Sequence, residues 1–277
     1  MTDFVSTKKV GLALSGGVAR GPAHIGVLNV LLSEGIPIDY VAGVSAGSII
    51  GAALCAGLPL TMLNELAPQI NWRHIARLVW PRRGFVSFKK LEGFVASLIG
   101  GDRQFHELQI PFITVVTDLL KGEPVILREG HVASAVHASC AVPGFVEPVE
   151  RNGQLLGDGG VSCNLPARQV RAMGADYVIG VDLMQPHLRR RMGPFRFGAM
   201  AIETLIQRSG GGLDAADCLI TPNLAGFNSL RFGQADFLIG VGEAAAQQQL
   251  ETIRKALCAP PPTDSVELVP DIPVLIA

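Results

Sequence analysis

Short apolar runs that end in a glycine turn and lead into a helical segment constrain the fold of this 277-residue chain more than any other feature. The run from Val10 to Leu14 ends in Ser15-Gly16-Gly17, and Pro22 is well placed to open a helix beyond it. The run from Tyr40 to Gly43 leads into a segment rich in small residues. Strands that alternate with helices favour a mostly parallel sheet with helices on its faces. We therefore predict an α/β fold.

The composition supports one large domain. Hydrophobic residues make up 48% of the chain and charged residues 17%, so a sizeable core can form. The 23 basic and 24 acidic residues give a formal charge of -1, which argues against a nucleic-acid partner. No repeat or linker divides the chain, and we predict a single domain over residues 1–258. Residues 259–277 begin with a proline run that cannot continue a helix, which predicts an extended tail.

The cysteines and the hydropathy of the chain indicate in which cellular compartment the protein lies. The five cysteines are dispersed, which predicts buried free thiols in a reducing environment. They are Cys55, Cys140, Cys163, Cys218 and Cys258. Residues 1–9 lack the apolar region of a secretory signal, and no stretch supplies the about 20 apolar residues that span a bilayer. We therefore expect a cytoplasmic protein, with any membrane contact peripheral and at the inner face.

The turn from Gly43 to Gly47 carries the first candidate catalytic residue, Ser45. Its Gly-x-Ser-x-Gly pattern lies between an apolar strand and a helix, as in a nucleophile elbow. Gly43 and Gly47 remove Cβ atoms where such a turn is tightest. The serine oxygen would lie at the positive end of the helix, which stabilises a developing alkoxide. The alternative is a glycine turn that only packs a helix on the sheet.

A second glycine turn, from Ser15 to Gly21, joins the first strand to its helix. Backbone N–H groups in such a loop converge on one point, which suits a phosphate or an oxyanion. The spacing fits neither the dinucleotide-binding nor the P-loop pattern, so an oxyanion hole is the economical interpretation. We assign Arg20 and Gly21 to the support of this loop. Arg20 either holds the loop through carbonyl contacts or meets a lipid phosphate.

The third motif places Asp158 between glycines, shortly after the hairpin signal Asn152-Gly153. An Asp-Gly pair is either a turn former or a carboxylate that needs close backbone approach. A Ser–Asp–His triad in chain order would require His187, because no other histidine follows Asp158. His187 lies in an arginine-rich segment, which is a poor setting for a buried base.

The order of these three motifs resembles that of the patatin-like phospholipases, particularly their short bacterial branch. Connecting strings are similar as well, among them Ala138-Ser139 and Asn164-Leu165-Pro166. The likeness extends from Lys9 to Ala256. It implies a patatin-like three-layer α/β/α fold and activity on lipid acyl esters.

The resemblance also implies a Ser–Asp dyad, with Ser45 as the nucleophile and Asp158 as the general base. The backbone N–H groups around Gly16, Gly17 and Val18 would form the oxyanion hole. No metal or organic cofactor is implied. The family usually has a glycine at the position of Ser15, and a serine there would distort the hole if this position had to be left-handed.

The segment from Trp72 to Lys90 is the best candidate for membrane contact, because tryptophan and basic residues on an amphipathic stretch suit an anionic lipid surface. The alternative is an ordinary packed helix with solvated charges. A second basic candidate runs from His187 to Arg196.

Two other function classes stay open beside a lipid hydrolase. The chain could transfer the acyl group to an alcohol through the same acyl-enzyme, as a lipid acyltransferase. It could instead be a weakly active lipid-binding or regulatory protein.

Overall fold

The computed structural model describes residue 6, residues 8–184, residue 200, and residues 203–227 and 231–258. The strands are β1 (Val10–Leu14), β2 (Tyr40–Gly43), β3 (Arg77–Leu78), β4 (Val86–Ser87), β5 (Phe112–Asp118), β6 (Glu123–Leu127), β7 (Val149–Arg151), β8 (Gln154–Asp158), β9 (Tyr177–Val181) and β10 (Cys218–Ile220). The predicted tail, residues 259–277, and the segment from His187 to Arg196 lie outside the described residues.

Eight α-helices have both ends within the described residues. They are α1 (Pro22–Ser33), α2 (Ala46–Cys55), α3 (Leu60–Leu66), α4 (Trp72–Ile75), α5 (Lys89–Leu98), α6 (Val132–Ser139), α7 (Ala167–Ala172) and α8 (Ala235–Cys258). Residues 203–208 are also helical. None of the helices in the described part of the chain combines the length and apolarity needed to cross a bilayer.

The main sheet has the strand order β10-β9-β1-β2-β5-β8-β7, and β6 also pairs with β5. The strands from β10 to β5 in this order run parallel to their neighbours. The pairs β5–β6, β5–β8 and β7–β8 are antiparallel. The prediction of a mostly parallel sheet is confirmed. The hairpin signal is confirmed too, since Asn152 and Gly153 join β7 to β8 with positive φ angles of 49° and 76°.

Helices cover both faces of this sheet, so the predicted three-layer α/β/α architecture is confirmed. Side chains of a strand alternate between faces. Leu12 and Leu14 of β1 pack into the larger core with residues of α1, α2, α5, α6 and α8. Ala13 packs into a second core with Val170 of α7. Gly11 is on the same face as Ala13, and a Cβ at position 11 would lie 2.7 Å from the Cβ of Ala175, so this position favours glycine.

Helices α1 and α8 approach each other closely enough for their backbones to meet. A Cβ on Gly26 would lie 1.9 Å from the carbonyl oxygen of Ile239. A Cβ on Gly242 would lie 2.1 Å from the carbonyl oxygen of Ala23. The two glycines therefore permit this crossing, and they fix α1, which begins directly after the glycine loop, against the last described helix.

Strand β5 positions the third motif because it has three partners. β6 pairs with one edge, from Thr114 to Asp118. On the other edge β2 ends where Gly43 pairs with Thr114, and β8 takes over where Asp158 pairs with Val116. Two residues of a strand span roughly 7 Å. The end of β8 thus lies next to the turn that follows β2.

Candidate active site

Ser45 sits on a sharp turn between β2 and α2. Its φ of 51° and ψ of -120° are strained for a residue with a side chain. The turn is held in place because the Ser45 N–H donates to the Ser139 hydroxyl (2.9 Å), which itself donates to the carbonyl oxygen of Val115 (2.7 Å). The structure therefore holds Ser45 in a strained conformation on the turn between a strand and a helix.

The two glycines of this motif are required by close backbone approach. A Cβ on Gly43 would lie 2.6 Å from the carbonyl oxygen of Gly47. A Cβ on Gly47 would lie 2.4 Å from the carbonyl oxygen of Leu14 in β1. The start of α2 thus packs directly on the backbone of the neighbouring strand, as the sequence pattern predicts for the tightest part of the turn.

Asp158 lies at the end of β8 and is only 6% exposed. Its backbone N–H donates to the carbonyl oxygen of Ala141 (2.8 Å), and its own carbonyl oxygen accepts from Thr117 Oγ1 (2.8 Å). The carboxylate accepts the Gly160 N–H (2.8 Å) and lies close enough to the Ser45 side chain for the Ser45 hydroxyl to oppose the rise in its pKa. The structure therefore brings Ser45 and Asp158 together.

The electrostatic setting of Asp158 suits a base. Burial raises the pKa of its carboxyl from 3.8 to about 6, although the hydrogen bonds from Gly160 and Ser45 act in the opposite direction. A carboxylate in a dry environment is harder to keep ionised, and its affinity for a proton rises accordingly. At neutral pH the group is still mainly ionised.

The glycine loop lies beside Ser45, since a Cβ on Gly16 would be 3.4 Å from the Cβ of Ser45. The Gly16 N–H donates to Asn164 Oδ1 (3.2 Å) and is therefore engaged. The N–H groups of Gly17 and Val18 have no hydrogen-bond partner among the described residues. Val18 has a φ of 53°, which is strained for a β-branched residue.

Ser15 does not adopt the left-handed backbone conformation in which a serine would distort the glycine loop. The described non-glycine residues with positive φ are Val18, Ser45 and Asn152. The Ser15 hydroxyl accepts the Leu183 N–H (2.9 Å) and donates to the carbonyl oxygen of Gly16 (3.0 Å). This serine therefore ties the loop to the chain beyond β9.

Arg20 is buried beneath the loop, with 4% of its surface exposed. It donates to the carbonyl oxygens of Leu183 and Phe227, both at 3.2 Å. Burial lowers the pKa of its guanidinium, while the nearby charges of Glu203 and Asp182 oppose that shift. Arg20 thus makes carbonyl contacts, as expected for the first of its two alternative roles.

The other loop-supporting candidate, Gly21, lies next to α2. A Cβ on Gly21 would lie 3.4 Å from the Cβ of Ala46, the first residue of that helix.

Histidines take no part in the contacts of Ser45 and Asp158 that the structure describes. His24 is fully buried, and burial lowers its pKa to about 4, so the ring is neutral and its Nε2–H donates to the carbonyl oxygen of Ser15 (2.9 Å). His137 pairs with Glu92 (3.0 Å). His187 lies outside the described residues.

Three polar residues of this region were not assigned a role from the sequence: Ser139, Cys140 and Asn164. The Cys140 thiol lies near the side chains of Ser48 and Ser45, and burial raises its pKa while these two hydroxyl groups oppose the shift. Ser139 and Asn164 occur in strings shared with the resembled family, which was their only sequence signal. Four of the five free cysteines are buried as predicted, whereas Cys258 is exposed.

The family model described as "Patatin-like phospholipase" matches residues 12–171. This range includes the last three residues of β1, the glycine loop, the turn at Ser45 and the strand that ends at Asp158. The chain belongs to the patatin-like phospholipase family. The resemblance recognised in the three motifs is thereby confirmed.

Relatives of this patatin-like chain carry names of the NTE group. An NTE family protein from Mycobacterium tuberculosis is 37% identical over 181 residues, covering 64% of this chain and 50% of the relative. The lysophospholipase nte1 of Aspergillus fumigatus is 27% identical over 294 residues, covering 94% of this chain and 19% of the fungal protein. The neuropathy target esterase sws of Drosophila melanogaster is 31% identical over 191 residues, covering 66% of this chain and 13% of the fly protein. The chain thus spans half the length of the mycobacterial relative and much less of the others.

Solved structures share the fold of this patatin-like chain. The type III effector protein ExoU superposes with a TM-score of 0.51 at 14% identity, covering 92% of this chain and 56% of that one. ExoU in its heterodimeric complex with SpcU from Pseudomonas aeruginosa superposes with a TM-score of 0.50 at 14% identity, covering 92% of this chain and 52% of that one. At this level of identity the likeness concerns the fold alone.

Proposed function

We propose that this chain is a serine lipid acyl hydrolase of phospholipase A, lysophospholipase or carboxylesterase type, with Ser45 as nucleophile and Asp158 as general base. The observation that carries the proposal is the buried Asp158 carboxyl, whose pKa is raised to about 6 and which lies beside the side chain of the strained Ser45. An unperturbed aspartate with a pKa of ~3.9 is a poor base toward an alcohol. The raised pKa brings Asp158 closer to the value that general-base catalysis needs at neutral pH.

In the proposed reaction the Asp158 carboxylate takes the hydroxyl proton as Ser45 Oγ attacks the acyl carbonyl. The oxyanion that forms accepts hydrogen bonds from the free N–H groups of Gly17 and Val18, and the positive end of α2 favours the same charge. Asp158 then gives its proton to the leaving alcohol as the ester bond breaks. Water then attacks the acyl-enzyme while Asp158 takes its proton. As the bond to Ser45 breaks, Asp158 returns that proton to Ser45 Oγ and the fatty acid is released.

The site of this reaction lies within the single domain that we propose for residues 1–258. Two relatives are named for lysophospholipase or esterase activity, which supports a lipid ester as the substrate. Arg20 and Gly21 would support the loop, because Arg20 is held by two carbonyl oxygens and Gly21 packs against Ala46.

The proposal is tested by a substrate panel on the wild-type chain. We expect release of free fatty acid from lysophosphatidylcholine, phosphatidylcholine or p-nitrophenyl esters, together with covalent labelling by a fluorophosphonate. The panel is run with and without an alcohol acceptor. Transfer of the acyl group to the acceptor in preference to water would point to the acyltransferase, and a folded protein that neither labels nor turns over would point to a lipid-binding role.

We further propose peripheral contact with an anionic membrane through the segment from Trp72 to Lys90, consistent with a cytoplasmic location. A packed helix describes only the start of this segment, because α4 ends at Ile75 and the chain continues into the β3–β4 ribbon. Leu78 and Trp80 are 83% and 81% exposed at this ribbon. Such exposure of large apolar side chains is typical of a lipid contact.

The first tryptophan of the segment has a different role. Trp72 packs edge-on against Phe145 and Phe232, with ring centroids 6.2 Å and 5.0 Å apart. The ribbon is joined to this aromatic cluster because the N–H groups of Phe85 and Val86 donate to the carbonyl oxygen of Phe145. Trp80, rather than Trp72, is therefore the proposed anchor.

Charge reversal of two arginines at the ribbon tests the membrane contact. Arg82→Glu combined with Arg83→Glu is expected to weaken binding to phosphatidylglycerol vesicles by at least about 30-fold, since each arginine near an anionic surface is worth about 1 kcal/mol. Co-sedimentation measures the binding. Lys255→Glu on the last turn of α8 is the matched control and should leave binding unchanged. Equal binding by the double variant and the control would contradict the proposal.

A further inference from the structure

Asn164 joins the glycine loop to the segment that carries Asp158. It is 1% exposed, and its side-chain oxygen accepts the Gly16 N–H at 3.2 Å. The same oxygen lies 3.4 Å from the position of a Cβ on Gly160, and the Asp158 carboxylate lies 3.0 Å from that position. The amide is therefore beside both halves of the site.

The backbone of Asn164 is held from the opposite side. Its N–H donates to the Ser209 hydroxyl (2.9 Å), which is within hydrogen-bond distance of the carbonyl oxygen of Gly160 (2.8 Å). The N–H of Gly160 in turn donates to Asp158. Asn164 is thus fixed relative to the carboxylate, and the Gly16 contact extends that fixed geometry to the glycine loop.

The chemistry of an amide fits this place. Its oxygen accepts the Gly16 N–H without adding a second negative charge next to Asp158. Its nitrogen, Nδ2, is buried and has no hydrogen-bond partner among the described residues. Buried donors without a partner are rare in folded proteins and call for an explanation. A packing role alone does not explain why a polar side chain occupies this position.

We propose that Asn164 is a positioning residue of the oxyanion hole. By engaging Gly16, it orients the loop so that the next two N–H groups, of Gly17 and Val18, face the carbonyl oxygen of an acyl ester. This inference rests on the proposed hydrolase function.

The test compares oxygen esters with thiono esters, in which sulfur replaces the carbonyl oxygen. Sulfur is a weak hydrogen-bond acceptor, so the ratio of kcat/KM for the two esters reports on the oxyanion hole. Asn164→Ala is expected to lower kcat/KM for a p-nitrophenyl ester by about 10- to 100-fold, the size of effect that a misplaced group causes. The kcat/KM for the thiono ester should fall less, so the ratio of kcat/KM for the oxygen ester to that for the thiono ester should decrease.

Thr117→Val is the matched control because Thr117 contacts the Asp158 carbonyl oxygen and not the glycine loop. Even if Thr117→Val lowers the activity on both esters, the ratio of their kcat/KM values should equal that of the wild type. Equal losses on both esters in Asn164→Ala would overturn the inference while the hydrolase function stands. A wild-type chain that hydrolyses neither ester would overturn both.

A second variant keeps the test valid if Asn164→Ala fails to fold. Asn164→Asp has the same shape and retains an oxygen facing the Gly16 N–H, so the ester ratio should stay closer to that of the wild type. Its added carboxyl beside Asp158 should move the acidic limb of the pH–rate profile to higher pH. An unmoved limb together with a collapsed ester ratio would contradict the assignment.

Discussion

Replacing Ser45 with alanine is expected to reduce ester hydrolysis by on the order of 10⁴- to 10⁶-fold, because the nucleophilic oxygen is removed and no acyl-enzyme can form. Fluorophosphonate labelling should disappear with the activity. Alanine retains a Cβ at the strained φ of 51°, so we expect little change in the temperature of unfolding. Stopped assays with a p-nitrophenyl ester and mass spectrometry of the labelled protein measure the two effects.

Ser48→Ala is the matched control for this substitution. The Ser48 hydroxyl donates to the carbonyl oxygen of Ser45 (2.6 Å) in the first turn of α2, so its removal disturbs the same turn without removing the nucleophile. We expect a loss of less than about tenfold, since a hydrogen bond of this kind contributes about 1 kcal/mol. Covalent labelling of the Ser45→Ala protein at the usual rate would exclude Ser45 as the nucleophile.

Replacing Asp158 with asparagine is expected to change activity and stability in opposite directions. Hydrolysis should fall by on the order of 10³- to 10⁴-fold, since an amide cannot take the Ser45 proton. The asparagine oxygen can still accept the Gly160 N–H that the carboxylate accepts now.

In the wild-type chain, kcat/KM should decrease about tenfold per pH unit below about 6, as the carboxylate is protonated.

The stability effect follows from the raised pKa. Between the model-compound pKa of 3.8 and the folded-state value of about 6, the folded chain holds a proton that the unfolded chain has released. The contribution of Asp158 to stability therefore falls as pH rises through this window and stays low above it. The difference corresponds to at most about 3 kcal/mol.

Asp158→Asn removes this penalty, because the amide carries no charge at either pH. We expect the variant to unfold at a higher temperature than the wild type at pH 8 and to lose most of that advantage at pH 4. Thermal unfolding of both proteins at the two pH values measures the difference. A variant less stable than the wild type at pH 8 would mean that the carboxylate is not held under a desolvation penalty.

The features predicted well from the sequence are those that a few neighbouring residues determine. Gly43 and Gly47 are required wherever a strand turns sharply into a helix, and the structure places backbone atoms where their Cβ atoms would be. Asn152-Gly153 defines its hairpin for a similar local reason. Alternating strands and helices then lead to the layered architecture.

Features that depend on distant contacts were missed or wrongly interpreted. Asn164 meets Gly16 only after the sheet has formed, and no local pattern shows that pairing. Trp72 and Trp80 look equivalent in the sequence, yet the first is held by Phe145 and Phe232 while the second is exposed. The packed-helix alternative describes only the start of this segment, which the distant aromatic side chains hold, because the chain after α4 pairs as the β3–β4 ribbon.

The three partners of β5 have a consequence for the order in which the chain folds. Gly43 and Asp158 meet the same edge of that strand from parts of the chain far apart in sequence, while β6 adds locally to the opposite edge. Non-local pairings form more slowly than local ones because long loops must close first. The β5–β6 hairpin is therefore an early element, and the approach of β8 to β2 a late one. Reactivity at Ser45 would return during refolding only when the whole sheet is assembled.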